Sequence, residues 1–198
     1  MWDSQRRSHA YIALLQLFKH FILTLNVLLE TLITSRTRLR MLVKFFTNDA
    51  NNGYLNGLAI EFGESTNAIR LELNNLSASG YLIKWKSKNK IVYAANKKHP
   101  LFKLLQKIIW HHLGLEQIVS SVIKKLGSVQ EIHLIGDYAK GRDTGTIEII
   151  LIVQNINEDF LESLQHKLKK IIERTVLFYV NSPIPQNAIV IYQQNDPS

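Results

Sequence analysis

The sequence predicts an α+β fold in three stretches: a long N-terminal helix, a helical segment closed by a β-hairpin, and a small α/β sheet. Three observations predict it. Apolar residues recur at helical spacing through Arg36–Phe46, Leu55–Phe62 and Thr66–Ser79. Two short runs, Tyr81–Lys86 and Lys90–Ala95, flank the turn residues Ser87, Lys88 and Asn89. Beyond Glu131, apolar β-rich runs alternate with one amphipathic helical stretch.

The chain has 198 residues, enough for one large domain or two small ones. Hydrophobic residues make up 46% and charged residues 20%, which excludes a disordered tail protein. Cysteine is absent, so disulfides and thiolate metal sites are excluded, in keeping with the expected location in a reducing cytoplasm. His111 and His112 are adjacent and point about 100° apart on a helix, so they cannot clamp one ion. His99 and His133 stand alone. No metal and no cofactor are expected.

The net charge of +8 is concentrated. Ser35–His99 holds 11 Lys/Arg against 4 Asp/Glu, whereas Pro100–Ser198 holds 10 of each, and the first 34 residues hold 3 against 2. A basic segment joined to a neutral one is the footprint of a polyanion-binding module, because opposite charge is what such a surface attracts.

Taken in order, Tyr11–Ile33 reads as one helix with a broad apolar face and a polar stripe at Gln16, Lys19, His20, Glu30 and Thr31. Its length could span a bilayer, but Lys19, His20, Asn26 and Glu30 lie inside it, and a charge buried there costs about 3 kcal/mol. Arg6 and Arg7 before an apolar run resemble a signal peptide, yet no small-residue cleavage site follows. An amphipathic helix packing on the protein or on a second subunit is expected, with a membrane-associated helix as the alternative. Residues 1–34 therefore form the first segment.

Residues 35–99 form the second. Leu39, Leu42, Val43 and Phe46 share one helical face, and Asn48–Gly53 is a loop by composition. Leu58, Ala59 and Phe62 line one side of the next helix, which Gly63 ends. Ser65 caps the following helix and Gly80 closes it. Residues 100–127 link the halves as two helices. Pro100 is a good first helical residue, and Leu101, Leu104, Leu105, Ile108 and Ile109 form an apolar stripe suited to a dimer contact or to core packing. Residues 128–198 carry strands at Glu131–Ile135, Thr146–Val153, Val176–Val180 and Ala188–Tyr192, with a helix at Asn157–Arg174.

The run from Leu55 to Leu82 resembles the winged helix-turn-helix of bacterial regulators of the ArsR and MarR type. Its physical logic is legible in the residues themselves. Leu58, Ala59 and Phe62 can meet Ala68, Ile69, Leu73 and Leu76, small Ala59 and Ala68 permit close crossing, and Gly63 permits the tight turn. That leaves Thr66, Asn67, Arg70, Leu71 and Asn74 facing outward. In this motif the start of the second helix enters the major groove, so Ser65, Thr66, Asn67, Arg70 and Asn74 are the candidate DNA contacts, with Arg suited to guanine and Asn to adenine. Lys84, Lys86, Lys88 and Lys90 alternate along the hairpin and are the candidate phosphate contacts of the wing. Lysines that merely protect an edge strand would look the same in isolation.

The run from Gly136 to Val153 resembles the signature of the minimal nucleotidyltransferase fold. In that family a Gly-Ser turn opens a short helix, and a following strand carries two aspartates that hold Mg²⁺ against a nucleoside triphosphate. Here Asp137 replaces the serine, Thr146 and Glu148 stand where the paired aspartates belong, the spacing from Gly141 to Glu148 is short, and later strands supply no third acid. Asp137 and Asp143 do not match the motif positions. The resemblance thus implies a small α/β nucleotidyltransferase-like domain without catalysis, whose candidate ligand contacts are Gly136, Asp137, Tyr138, Lys140, Gly141 and Glu148. Equally, Gly136 and Gly141 could serve only to shape a turn.

The expected whole is a homodimeric, cytoplasmic, non-enzymatic transcription regulator that binds double-stranded DNA, with no membrane partner. The α/β domain would be a dimerisation unit or the sensor of an unidentified small-molecule effector. The alternative is an active nucleotidyltransferase whose winged helix holds substrate or partner.

Overall fold

Ser35 starts the first helix: its Oγ accepts from the Arg38 amide at 3.1 Å, and α1 runs Arg36–Phe46. The computed structural model describes residues 33, 35–126, 129–154 and 158–194. The helix expected at Tyr11–Ile33 lies outside these residues except for Ile33, which is not helical. Helix α1 is central: Met41, Leu42, Val43, Phe45 and Phe46 are all buried. Helix α2 spans Leu55–Phe62 and stops at Gly63, whose φ of 64° is left-handed and unfavourable for other residues. Helix α3 spans Thr66–Ala78, with the Ser65 Oγ accepting from the Ala68 amide at 3.1 Å.

Strands β2 (Leu82–Ser87) and β3 (Lys90–Ala95) form an antiparallel hairpin closed by Lys88 and Asn89. Strand β1 (Asn52–Tyr54) pairs with the other edge of β3, giving the order β1-β3-β2. Composition made Asn48–Gly53 a loop. Its end is instead a strand of three residues, too short for alternation to reveal and formed only because β3 offers an edge.

Helix α4 (Phe102–Leu113) and helix α5 (Leu115–Leu126) meet at Gly114. Pro100 does not open α4. The Phe102 amide bonds the His99 carbonyl at 2.9 Å, so Pro100 occupies the second position of a turn, where its fixed φ is equally suitable. The predicted apolar stripe is divided: Ile109 is buried, Leu105 and Ile108 are half-buried, and Leu101 and Leu104 remain exposed.

The second sheet comprises β4 (Val129–Ile135), β5 (Thr146–Val153), β6 (Thr175–Val180) and β7 (Ile189–Gln193), in the order β6-β5-β4-β7. Helix α6 (Gly136–Ala139) lies between β4 and β5, which are antiparallel. Helix α7 (Glu158–Ile172) joins β5 to β6, which are parallel, as a helical crossover requires. Ile132, Leu134, Ile147, Ile149, Leu151 and Val176 are among the buried sheet residues, and α5 and α7 pack on the sheet with Leu115, Ile118, Val122, Leu164 and Leu168 buried. The class is α+β, with seven helices and two sheets among the described residues. None of these helices is long and apolar enough to cross a membrane.

Residues 35–198 form one unit, within which polar groups on α1 and its loop reach the turn after α6. The buried Lys44 ammonium donates to both Glu61 carboxylate oxygens at 2.9 and 3.1 Å and to the Lys140 carbonyl at 3.0 Å. Asn48 and Asn51 donate to the Ala139 carbonyl at 3.1 and 3.3 Å, and Trp110 Nε1 donates to the Thr47 carbonyl at 3.0 Å. All three ammonium hydrogens of Lys44 thus have acceptors, which is what makes a buried cation tolerable.

Candidate nucleic-acid interface

The helix pair forms as its apolar spacing requires. Leu58 and Ala59 of α2 and Ile69, Leu73 and Leu76 of α3 are buried, while Phe62 and Ala68 are half-buried. Helical geometry then forces the remaining side of α3 outward, and Ser65, Thr66, Asn67, Arg70, Leu71 and Asn74 are all exposed. Ser65 has a prior commitment, since its oxygen accepts the Ala68 amide, leaving its hydroxyl hydrogen to donate elsewhere. Arg70 Nη1 donates to Asn67 Oδ1 at 2.7 Å. Inward-facing Glu72 bonds Arg38 Nε at 2.8 Å and so ties α3 to α1, an anchor that reading α3 by itself could not reveal.

Register divides the hairpin lysines. Lys84 opposes Tyr93 and Lys86 opposes Ile91, so both share the face whose root, Leu82, Tyr93 and Ala95, is buried. Lys88 sits at the tip with φ of 50°. Lys90 opposes Ser87 and therefore belongs to the other face, with its Nζ 3.9 Å from the centre of the Tyr54 ring. The simple alternation of four lysines is corrected accordingly: two project together, one caps the turn, and Lys90 is turned away because a two-residue turn reverses which face the fourth one takes. Trp85, 43% exposed, and Ile83 occupy that second face. Neither figured among the sequence candidates, because the register that places them was not readable.

The charges sort themselves. The four acids of Ser35–His99 each have a basic partner: Glu72 with Arg38 at 2.8 Å, Glu64 with Arg40 at 3.4 Å, Glu61 with Lys44 at 2.9 Å and Asp49 with Lys97 at 2.7 Å. Of the 11 cations, the seven outside those pairs are Arg36, Arg70, Lys84, Lys86, Lys88, Lys90 and Lys98. Five of these seven lie on α3 and the hairpin. The positive excess of the segment is therefore displayed on the helix and arm rather than spread over the surface.

The glycine turn after β4 is built differently from a ligand cradle in one respect. Tyr138, a sequence candidate for ligand contact, is fully buried. Its hydroxyl donates to Asp143 Oδ1 and accepts from Arg174 Nε at 3.0 Å, so the ring is a structural post rather than a surface contact. Lys140 is exposed, Asp137 pairs with Arg142 at 2.8 Å, and the Glu148 carboxylate lies against Gly136. Gly141 is buried against the backbone of Lys44. Among the described residues, no group of three or more His, Asp or Glu side chains is placed to hold a metal ion.

Burial works against the charged form of Asp143, but the hydrogen bonds and charge of Arg174, together with the Tyr138 hydroxyl, outweigh it and hold the carboxyl below the usual aspartate range. A carboxyl depressed in the folded state contributes stability above its unfolded pKa, about 3.9, and loses it as pH falls through the folded value. Asp143→Asn is therefore expected to lower stability at neutral pH, with the gap to the parent narrowing below about pH 4. Urea midpoints from neutral pH down to about pH 2 test this; parallel curves would show that the Asp143–Arg174 pair is not coupled to folding.

No protein-family model matches the chain, and no curated protein matches it. Among solved structures, the crystal structure of the transcriptional regulator BldR from Sulfolobus solfataricus is similar over 86% of this chain and 100% of that one, at 14% identity and a TM-score of 0.34.

Proposed function

We propose that the protein is a sequence-specific, double-stranded DNA-binding transcription regulator, built on a winged helix-turn-helix of the ArsR and MarR kind. One observation carries this reading: of the seven cations of residues 35–99 outside ion pairs with acids, four lie on the β2–β3 arm and one, Arg70, on the exposed face of α3. A scaffold serving only to bind another protein has no need to pair its acids elsewhere and leave this arm with unopposed positive charge. Lys88 adds support. At a φ of 50° a glycine or asparagine would be favoured, and a lysine there supplies charge at the expense of backbone comfort.

On this reading Thr66, Asn67, Arg70 and Asn74 face the major groove, while Lys84, Lys86 and Lys88 meet phosphates. Arg70→Ala should weaken specific binding by about 1–3 kcal/mol, more than it weakens binding to random duplex. Fluorescence anisotropy on a selected site and on random duplex measures both, and equal affinity of parent and variant for the selected site would remove the assignment.

The 128–198 region is read as a degenerate nucleotidyltransferase-like domain, linked by residues 100–127 and serving for dimerisation or sensing. Support comes from the order α5-β4-α6-β5-α7-β6, with β4 antiparallel and β6 parallel to β5. The family's Mg²⁺ does not fit the donors present: Asp137 and Asp143 are each held by an arginine, and Glu148 is left without a partner acid. Two-metal phosphoryl transfer needs several clustered oxygen ligands, so no catalytic step is assigned. Exposed Leu101 and Leu104 at the start of α4 favour self-association, and two-fold symmetry would then call for half-sites about one helical turn apart or a multiple of it.

A further inference from the structure

We infer that Asn67 is a positioning residue for Arg70, and that the recognised DNA carries a G·C pair read by this arginine rather than an adenine read by the asparagine. The inference rests on the DNA-binding reading above and assigns the base chemistry of that surface.

Asn67 and Arg70 are three residues apart on the first turns of α3, so their side chains lie on one face. Arg70 Nη1 donates to Asn67 Oδ1 at 2.7 Å, and both residues are exposed with no other described partner. An unrestrained arginine gives up much rotamer freedom when it engages a base. One already held by a neighbour gives up less, which raises its selectivity as well as its affinity.

The donor inventory decides which base is read. Guanidinium has five N–H donors, and the bond to Asn67 uses one on Nη1. The Nε–Nη2 edge stays open and presents two parallel donors, the match for the O6 and N7 acceptors of guanine in the major groove. Adenine makes the opposite demand on Asn67. Its amide would have to accept from N6 through Oδ1 while donating to N7 through Nδ2, with both atoms facing the base edge. Oδ1 already accepts from Arg70, so pairing with adenine would make this one oxygen serve two donors and hold both side chains at the same base edge. The two side chains therefore act on a single base pair.

Selection of binding sites from a random duplex pool, with the full chain and its Asn67→Ala, Asn67→Asp and Arg70→Ala variants, tests this. The parent should recover sites with a strongly preferred G·C pair that Arg70→Ala no longer selects. Asn67→Ala should lower the preference for that guanine about 3- to 10-fold, a larger change than any in its affinity for random duplex. Asn67→Asp retains an acceptor for Arg70, so the preference should return even though the added negative charge weakens binding to every sequence. A merely structural role for Asn67 would move all sequences equally and would overturn the inference. So would an Asn67→Ala variant that loses an adenine elsewhere in the site while keeping the guanine, since Asn67 would then be the reader. A parent that binds no duplex at all would overturn both this inference and the reading beneath it, whereas the preceding results overturn the inference alone.

Discussion

Replacing Lys84, Lys86 and Lys88 together by alanine is expected to weaken binding to any duplex by roughly 10²- to 10³-fold at about 0.1 M salt. The slope of log K against log salt should flatten by about 2.7, since each phosphate contact releases about 0.9 of a counterion. The three residues are exposed and enter no ion pair with another described residue, so their charge is available in full. Lys90→Ala provides the internal contrast. Its ammonium lies over the Tyr54 ring on the other face, so its loss should change the slope by well under one contact. Anisotropy titrations over a salt series, on selected and random duplex, read both quantities. If the triple variant keeps the parent slope but becomes prone to self-association, the lysines protect a sheet edge and do not meet DNA.

The contrast between Lys90 and its neighbours also marks where sequence reasoning stopped. Helical periodicity is local, so it placed the boundaries of α2 and the exposure of Thr66, Asn67, Arg70 and Asn74 from spacing alone. The face a lysine takes on a hairpin depends on the turn length, and a turn of two residues rather than three moves Lys90 to the other side. Three-residue β1 could not be found either, because it exists only as the partner of a strand some 40 residues later, pairing Asn52 with Ala94. The Tyr138–Asp143–Arg174 network has the same origin. Arg174 approaches from beyond α7, and nothing near Tyr138 in the sequence announces that its hydroxyl has partners inside the protein. Motif resemblance suggested a ligand turn there, while the three-dimensional contacts give Tyr138 and Gly141 structural duties of their own.

Those duties yield the largest stability effect expected of a single substitution. Gly141→Ala should destabilise the protein by roughly 2–5 kcal/mol, lowering Tm by about 4–20 °C for a chain of this size. Two terms add. At φ of 72° an alanine sits in the left-handed region, at about 1–2 kcal/mol. Its Cβ would also stand 2.5 Å from the Lys44 carbonyl oxygen and 2.6 Å from the Lys44 Cα. Those atoms are backbone of the central helix α1, flanked by fully buried Phe45 and anchored by the Lys44–Glu61–Lys140 bonds, so they cannot yield as a flexible side chain would. Gly63→Ala separates the two terms. Its φ of 64° carries the same backbone penalty, but nothing lies within 4 Å of the added methyl, so about 1–2 kcal/mol is expected. Thermal and urea unfolding of both variants measure the difference. If Gly141→Ala proves as mild as Gly63→Ala, α1 and the turn after α6 are not held in close contact, and the left-handed backbone alone accounts for the glycine.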